Sequence, residues 1–106
     1  MARALINAPA TARHGSVIEI RTLISHVMET GFRFTNTGVQ VPRDIITAFT
    51  ATYNGEEIFR VQLYPAIAAN PYISFHTVAT ESGTIELRWT GDNGFSATEQ
   101  VRITVE

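Results

Sequence analysis

Apolar and polar residues alternate with a period of two along most of the chain. An Asn-Gly dipeptide, Asn54-Gly55, sits between two such runs, and no window of eleven or more residues keeps a helical period. These three observations predict an all-β protein, an immunoglobulin-like β-sandwich of about seven antiparallel strands.

Each element has its own local reason. Residues 1–9 supply a short edge strand, which Pro9 ends because proline cannot donate to a ladder. From Ser16 to Ile24, Ile18, Ile20 and Ile24 share one face, with Glu19 and Arg21 opposite. That is the pattern of a half-buried strand. Ile45–Tyr53 leads into Tyr53-Asn54-Gly55-Glu56, where Asn-Gly supplies the two positive φ values of a type I′ hairpin turn. On the return strand Phe59, Val61 and Leu63 point inward, while Arg60 and Gln62 point out. Ile73–Ala79 forms a further strand. A second hairpin pairs Thr84–Thr90 with Phe95–Val105 around Gly91-Asp92-Asn93-Gly94, so that Ile85, Leu87 and Trp89 face Val101, Ile103 and Val105. The expected core contains Ile20, Phe59, Val61, Leu87, Trp89 and Val101. Trp89 reads most simply as a core residue, although the Cys…Trp…Cys pattern of antibody domains is missing.

The totals exclude several classes. With 106 residues, 1–106 forms a single domain. The chain has no cysteine, which rules out a disulfide, a thiolate metal site and a sulfur nucleophile. A net charge of −2 without a basic cluster argues against nucleic acid as a partner. All eight basic residues are arginine, as a GC-rich coding sequence would favour; arginine also suits planar, paired contacts at interfaces. No apolar run approaches a membrane span. The first fifteen residues carry Arg3, Arg13 and His14 but no sustained apolar stretch, so no secretion signal is expected there.

Two stretches depart from simple sandwich logic. Ser25–Asp44 is too long for an ordinary strand connection. Its second half reads as a small hairpin turning at Asn36–Gly38, while His26-Val-Met-Glu-Thr-Gly31 is unexplained by turn chemistry. The other is Val61–Thr80, twenty residues without one Asp, Glu, Lys or Arg. Within it, Pro65-Ala-Ile-Ala-Ala-Asn-Pro-Tyr72 is an apolar connection bracketed by prolines. Such a loop either folds onto the core or presses against another protein.

These segments carry a family resemblance. His26-Val-Met-Glu-Thr-Gly31, Tyr53-Asn-Gly55, Pro65-Ala-Ile-Ala-Ala-Asn-Pro-Tyr72 and Ser82-Gly83…Trp89, in this order, resemble the SoxZ family from about Gly15 to Val105. The family's usual motif has proline after the histidine, where this chain has Val27. It also tends to carry a further acidic residue after the tryptophan strand, where Gly91 precedes Asp92 here. The resemblance implies a non-catalytic subunit that forms a heterodimer with SoxY in periplasmic thiosulfate oxidation. SoxY would carry the sulfur intermediate on its own cysteine, and other Sox enzymes would be met transiently through the complex. With no leader of its own, the chain would be exported together with SoxY. No cofactor is implied.

On this reading Ile67 and Tyr72 anchor the partner contact, with Ala68, Asn70 and Pro71 beside them. His26, Met28 and Glu29 form a second patch. Apolar surface left bare in the isolated chain would also favour a two-fold homodimer. Other readings compete. His14, His26 and His76 with Met28 offer Cu(I) ligand types, but nothing in the sequence brings them together. Ser25 beside His26 is a poor nucleophile–base pair, because adjacent strand residues face opposite ways. A generic immunoglobulin-like binding module is the alternative, since the fold hosts many functions.

Overall fold

A computed structural model describes residues 3–106; the part of the expected first strand that falls on Met1 and Ala2 lies outside the described residues. Eight strands follow in chain order: β1 (Ala4–Asn7), β2 (Thr11–Ala12), β3 (Val17–Ile24), β4 (Ile46–Tyr53), β5 (Glu56–Gln62), β6 (Tyr72–Val78), β7 (Gly83–Gly91) and β8 (Ser96–Val105). They form a three-stranded sheet, β1-β3-β6, and a five-stranded sheet, β2-β8-β7-β4-β5. All pairings are antiparallel except β2 with β8, which is parallel. The sandwich is therefore one strand richer than expected, with one parallel pairing at its rim.

Alternation produces this layering directly. On β3, Ile18, Ile20, Thr22 and Ile24 are buried while Val17, Arg21 and Leu23 are exposed. Buried β4 and β7 residues meet them from the facing sheet. Trp89 packs on Phe49 with ring centres 5.1 Å apart, and Phe49 meets Phe75 at 6.0 Å. Phe75 stacks on Phe59 at 4.7 Å. The indole Nε1–H of Trp89 is the one buried side-chain N or O among the described residues without a hydrogen-bond partner. The Asn54-Gly55 turn adopts the expected conformation, with φ of 50° and 85°.

Two expectations need correction. Phe59, Val61 and Val101 are only partly buried, packed against the core rather than within it. Phe59 and Val61 lie on β5, an edge strand, and beyond β8 there is only the two-residue β2. The register of β7 on β8 also differs. Of the two expected sets only Ile85 and Val101 lie opposite each other; Leu87 faces Glu99, Trp89 faces Ala97 and Ile103 faces Gly83. Val105 runs past β7 and pairs with Ala12. The cause is the 3₁₀ turn Asp92–Gly94: Gly91 N–H donates to the Phe95 carbonyl, which seats Thr90 opposite Ser96 and sets every pair beyond.

The described chain extends 60 × 20 × 20 Å, with a radius of gyration of 16.3 Å. A compact domain of this length would have about 13 Å. A ten-residue strand such as β8 covers only ~34 Å, so end loops supply the rest. The longest of these connects β3 to β4.

Candidate partner-binding surface

One end of the sandwich gathers the β3–β4 connection, the β5–β6 loop and the β7–β8 turn. The first two are sewn together at His26 and Asn70. The backbone N–H of His26 donates to Asn70 Oδ1 at 2.9 Å, and the Asn70 N–H returns a bond to the His26 carbonyl at 2.7 Å. Asn70 takes φ of 53° to do so, a left-handed conformation that asparagine tolerates better than most residues. The two stretches singled out in the sequence thus meet, although 44 residues separate these partners.

His26 itself is largely buried. Its Nδ1 accepts the Met28 N–H at 3.0 Å, its ring sits edge-on to Phe95 at 4.7 Å, and its Nε2 lies 3.7 Å from Asp44 Oδ1. It therefore binds strand end, loop and turn into one unit. Met28 is 4% exposed, with φ of 50°, and its Sδ accepts the Ile46 N–H at 3.3 Å. Pro71 is buried too. In the chain alone neither Met28 nor Pro71 offers an accessible side chain, and Met28 belongs to the core cluster. Glu29 is partly exposed, while Ile67, Ala68, Asn70 and Tyr72 are all exposed.

Beyond Met28 the chain forms a latched arm. Glu29 and Asp44 exchange both backbone hydrogen bonds at 2.8 Å. Arg33 donates to the Glu29 carboxylate at 3.2 and 2.7 Å; this hydrogen bond, with the Arg33 charge, holds the Glu29 carboxyl below its ordinary pKa. At the root the Arg43 guanidinium forks onto Asp92 at 2.8 and 2.9 Å, and Asp92 also accepts the Ile45 N–H at 3.1 Å. The Arg43 contact first, then the backbone bond, keeps Asp92 below the usual carboxylate range. Gly31 passes so close to this root that a Cβ there would lie 2.9 Å from Arg43 Cβ, and its φ of 87° independently favours glycine.

Above the root the expected small hairpin is present. Thr35 N–H donates to the Val39 carbonyl and Val41 N–H to that of Arg33, both at 2.8 Å. Every residue from Phe32 to Gln40 is exposed. Phe32 (76%) and Phe34 (60%) are the bulkiest of them, and their i, i+2 spacing puts both on one face of an extended chain. Val39 is exposed on the return strand, as are Tyr64 and Ile67 on the neighbouring loop. Pro65 of that loop shares a shallow hollow with Thr30, Phe32, Gln40 and Pro42 of the arm. Phe32, Phe34 and Val39 were not among the sequence candidates. The Phe-Arg-Phe alternation beside a turn was the signal for them, and only the lack of a covering layer turns it into surface.

The other readings find less in this geometry. His14 lies by the C-terminus, its N–H bonded to the Glu106 carbonyl, and His76 lies on the outer face of β6, with Nε2 3.7 Å from Glu19. Neither approaches His26 and Met28, and no group of three His, Cys, Asp or Glu that could hold a metal occurs among the described residues. Ser25 is exposed and His26 buried, so they point apart.

Comparison with known proteins gives the fold independent support. A superoxide reductase (neelaredoxin) from Ignicoccus hospitalis superposes with a TM-score of 0.76 at 17% identity, over 97% of this chain and 80% of that one. A putative superoxide reductase from Thermotoga maritima gives 0.70 at 16% identity, over 97% and 85%. The sulfur carrier protein SoxY from Chlorobium limicola f thiosulfatophilum gives 0.65 at 12% identity, over 97% and 78%. At these identities the likeness is one of fold. No curated protein matches in sequence. A family model described as sulphur oxidation protein SoxZ matches residues 6–102, nearly the whole domain, and the chain therefore belongs to the SoxZ family.

Proposed function

We propose that this SoxZ-family chain, a subunit of the Sox sulfur-oxidation carrier complex, pairs with SoxY as a non-catalytic partner through the loop end of its sandwich. In this reading SoxY bears the sulfur intermediate of periplasmic thiosulfate oxidation, the two chains are exported together, and other Sox enzymes meet the complex transiently. The observation that carries it is the contrast between a rigid root and a bare tip. Phe32, Phe34 and Val39 are exposed on an arm whose base is fixed by the Glu29–Asp44 ladder and the Arg43–Asp92 fork. Aromatic side chains have few rotatable bonds, and on a backbone already ordered at its base they lose little freedom when a partner covers them. Beside them lies the uncharged Pro65–Tyr72 loop, and interface centres are depleted in charge.

The non-catalytic reading is supported by the chemistry of the side chains as well. The chain has no cysteine to carry sulfur, and Glu29 and Asp92 are engaged in arginine pairs rather than poised for proton transfer. The test is co-expression with SoxY, followed by binding of purified variants. Ile67→Asp and Ala68→Glu place a charge in the exposed loop. Each is expected to weaken SoxY binding by about 1 kcal/mol or more while the unfolding midpoint stays near that of the parent. Lost stability with unchanged affinity would move the contact elsewhere. Purified alone, the chain is expected to turn over neither thiosulfate nor sulfite.

A further inference from the structure

The free edge of β6 is built to pair with itself. Its seven residues, Tyr72–Val78, contain no charged side chain and no proline, and its ladder with β3 runs without a register shift. Natural edge strands are normally guarded by lysine, proline or a bulge, and this one has none of these guards. β6 is terminal in the three-stranded sheet, so among the described residues no strand lies on its side away from β3.

Hydrogen-bond parity identifies the groups on that side. Ile24 N–H donates to the Pro71 carbonyl, and Ala79 N–H donates to the Ser16 carbonyl. In an antiparallel pair the backbone groups of successive residues alternate in direction. Ile73, Phe75 and Thr77 therefore direct theirs to β3. Tyr72, Ser74, His76 and Val78 direct theirs outward.

We propose that two copies of this chain join through β6 about a two-fold axis, with Phe75 opposite the partner's Phe75. The inference stands apart from pairing with SoxY, since it concerns the chain alone. In this register Tyr72 lies opposite the partner's Val78, and Ser74 opposite the partner's His76. It is the one antiparallel self-pairing in which every outward N–H and C=O of the four edge residues finds a partner. Shifting by two residues in either direction leaves one of the four without an opposite number on β6.

The side chains agree with the backbone. Across the outer face, Leu5 lies beside Leu23 and Leu23 beside Tyr72, while Val17 lies beside Val78 at the far end. All five are exposed. Between these apolar rows lie Asn7, Arg21 and Ser74, then Glu19 and His76. The two-fold pairing joins the row Leu5, Leu23, Tyr72 to the partner's Val78 and Val17, and does so twice. Polar rows continue likewise, so no charge meets an apolar side chain across the seam. A surface that is complementary to itself in both backbone and side chains is what an isologous dimer requires.

Sedimentation of the isolated chain from roughly 10 µM to 1 mM, a range suited to a weak dimer, is expected to show a reversible monomer–dimer equilibrium. Ser74→Pro removes an outward N–H without touching the β3 ladder and is expected to raise the dimer dissociation constant at least about tenfold, with an all-β spectrum retained. Register is read separately in this cysteine-free chain. A Ser74→Cys chain mixed with a His76→Cys chain is expected to give a mixed cross-linked pair on mild oxidation, whereas neither chain cross-links alone, because only Ser74 and His76 sit directly opposite in this register. A chain that stays monomeric throughout overturns the proposal. So does a dimer that neither weakens with Ser74→Pro nor gives the register-specific cross-link.

Discussion

Trp89 and Phe32 are both large aromatic residues, one on β7 and one on the β3–β4 connection, and the molecule treats them in opposite ways. Trp89 is fully buried between the sheets, against Phe49, with its Nε1–H unpaired. Phe32 is 76% exposed on an arm that buries no residue between Phe32 and Gln40. What holds each region differs too. Apolar contact organises the sandwich, whereas backbone ladders and the Arg43–Asp92 fork organise the arm. The interior thus sets stability, and the contact proposed on the arm draws on residues that the core does not use. Single exposed apolar residues are ordinary, whereas a contiguous group of them marks a site of contact.

The comparison is broken most severely at Trp89. Trp89→Ala is expected to lower unfolding free energy by about 3–5 kcal/mol, the usual range for deleting a buried aromatic, read from denaturant melts. A loss below about 1 kcal/mol would mean that the inner aromatic cluster is not what holds the sheets together. A smaller effect, on a different observable, is expected at the tip. Phe32→Ala and Phe34→Ala should each weaken SoxY binding by about 1–3 kcal/mol and leave the melting midpoint nearly unchanged. If the pair moves stability instead, the arm belongs to the folding unit and the division drawn above fails.

The smallest effect sits at the junction of the two regions. Asp92 has a folded pKa below its ordinary value, so its stabilising contribution is present above the unfolded pKa, about 3.9. That contribution is lost as pH falls through the depressed folded value. The gap in melting temperature between the parent and Asp92→Asn should therefore be widest near neutral pH and close in acid below about pH 4. A gap that persists at pH 2 would assign the loss to packing of the turn rather than to the ion pair. Amide exchange at Val41 and Asp44 would show whether the arm loosens over the same range.

Much of this was readable locally, because its causes are local. Ile18, Ile20 and Ile24 alternate against Glu19 and Arg21, and a pleated strand must send them to opposite faces. Asn54-Gly55 accepts positive φ at both positions, and the hairpin follows. The polar turn at Asn36–Gly38 likewise marks its own reversal. The run of uncharged residues from Val61 to Thr80 was visible as an anomaly, and its division into a loop and an exposed edge strand was not.

What only the tertiary structure decided are the relations between distant residues. Periodicity says that Leu87 is buried but not that it faces Glu99, because the β7–β8 register is counted from the Gly91–Phe95 turn. It says nothing of Met28, whose Sδ plugs the core end at Ile46. Nor does it bring His26 to Asn70, across 44 residues. Alternation fixes which way a side chain points within its own strand. Whether another strand, another loop or only water lies on that side depends on the order of strands in the two sheets, and no local pattern encodes that order. The sequence by itself therefore determined the longer strands, the hairpin turns and the family; the closed fold added the rim strand β2 and decided which apolar residues became core and which, like Phe32, Phe34 and Tyr72, were left bare.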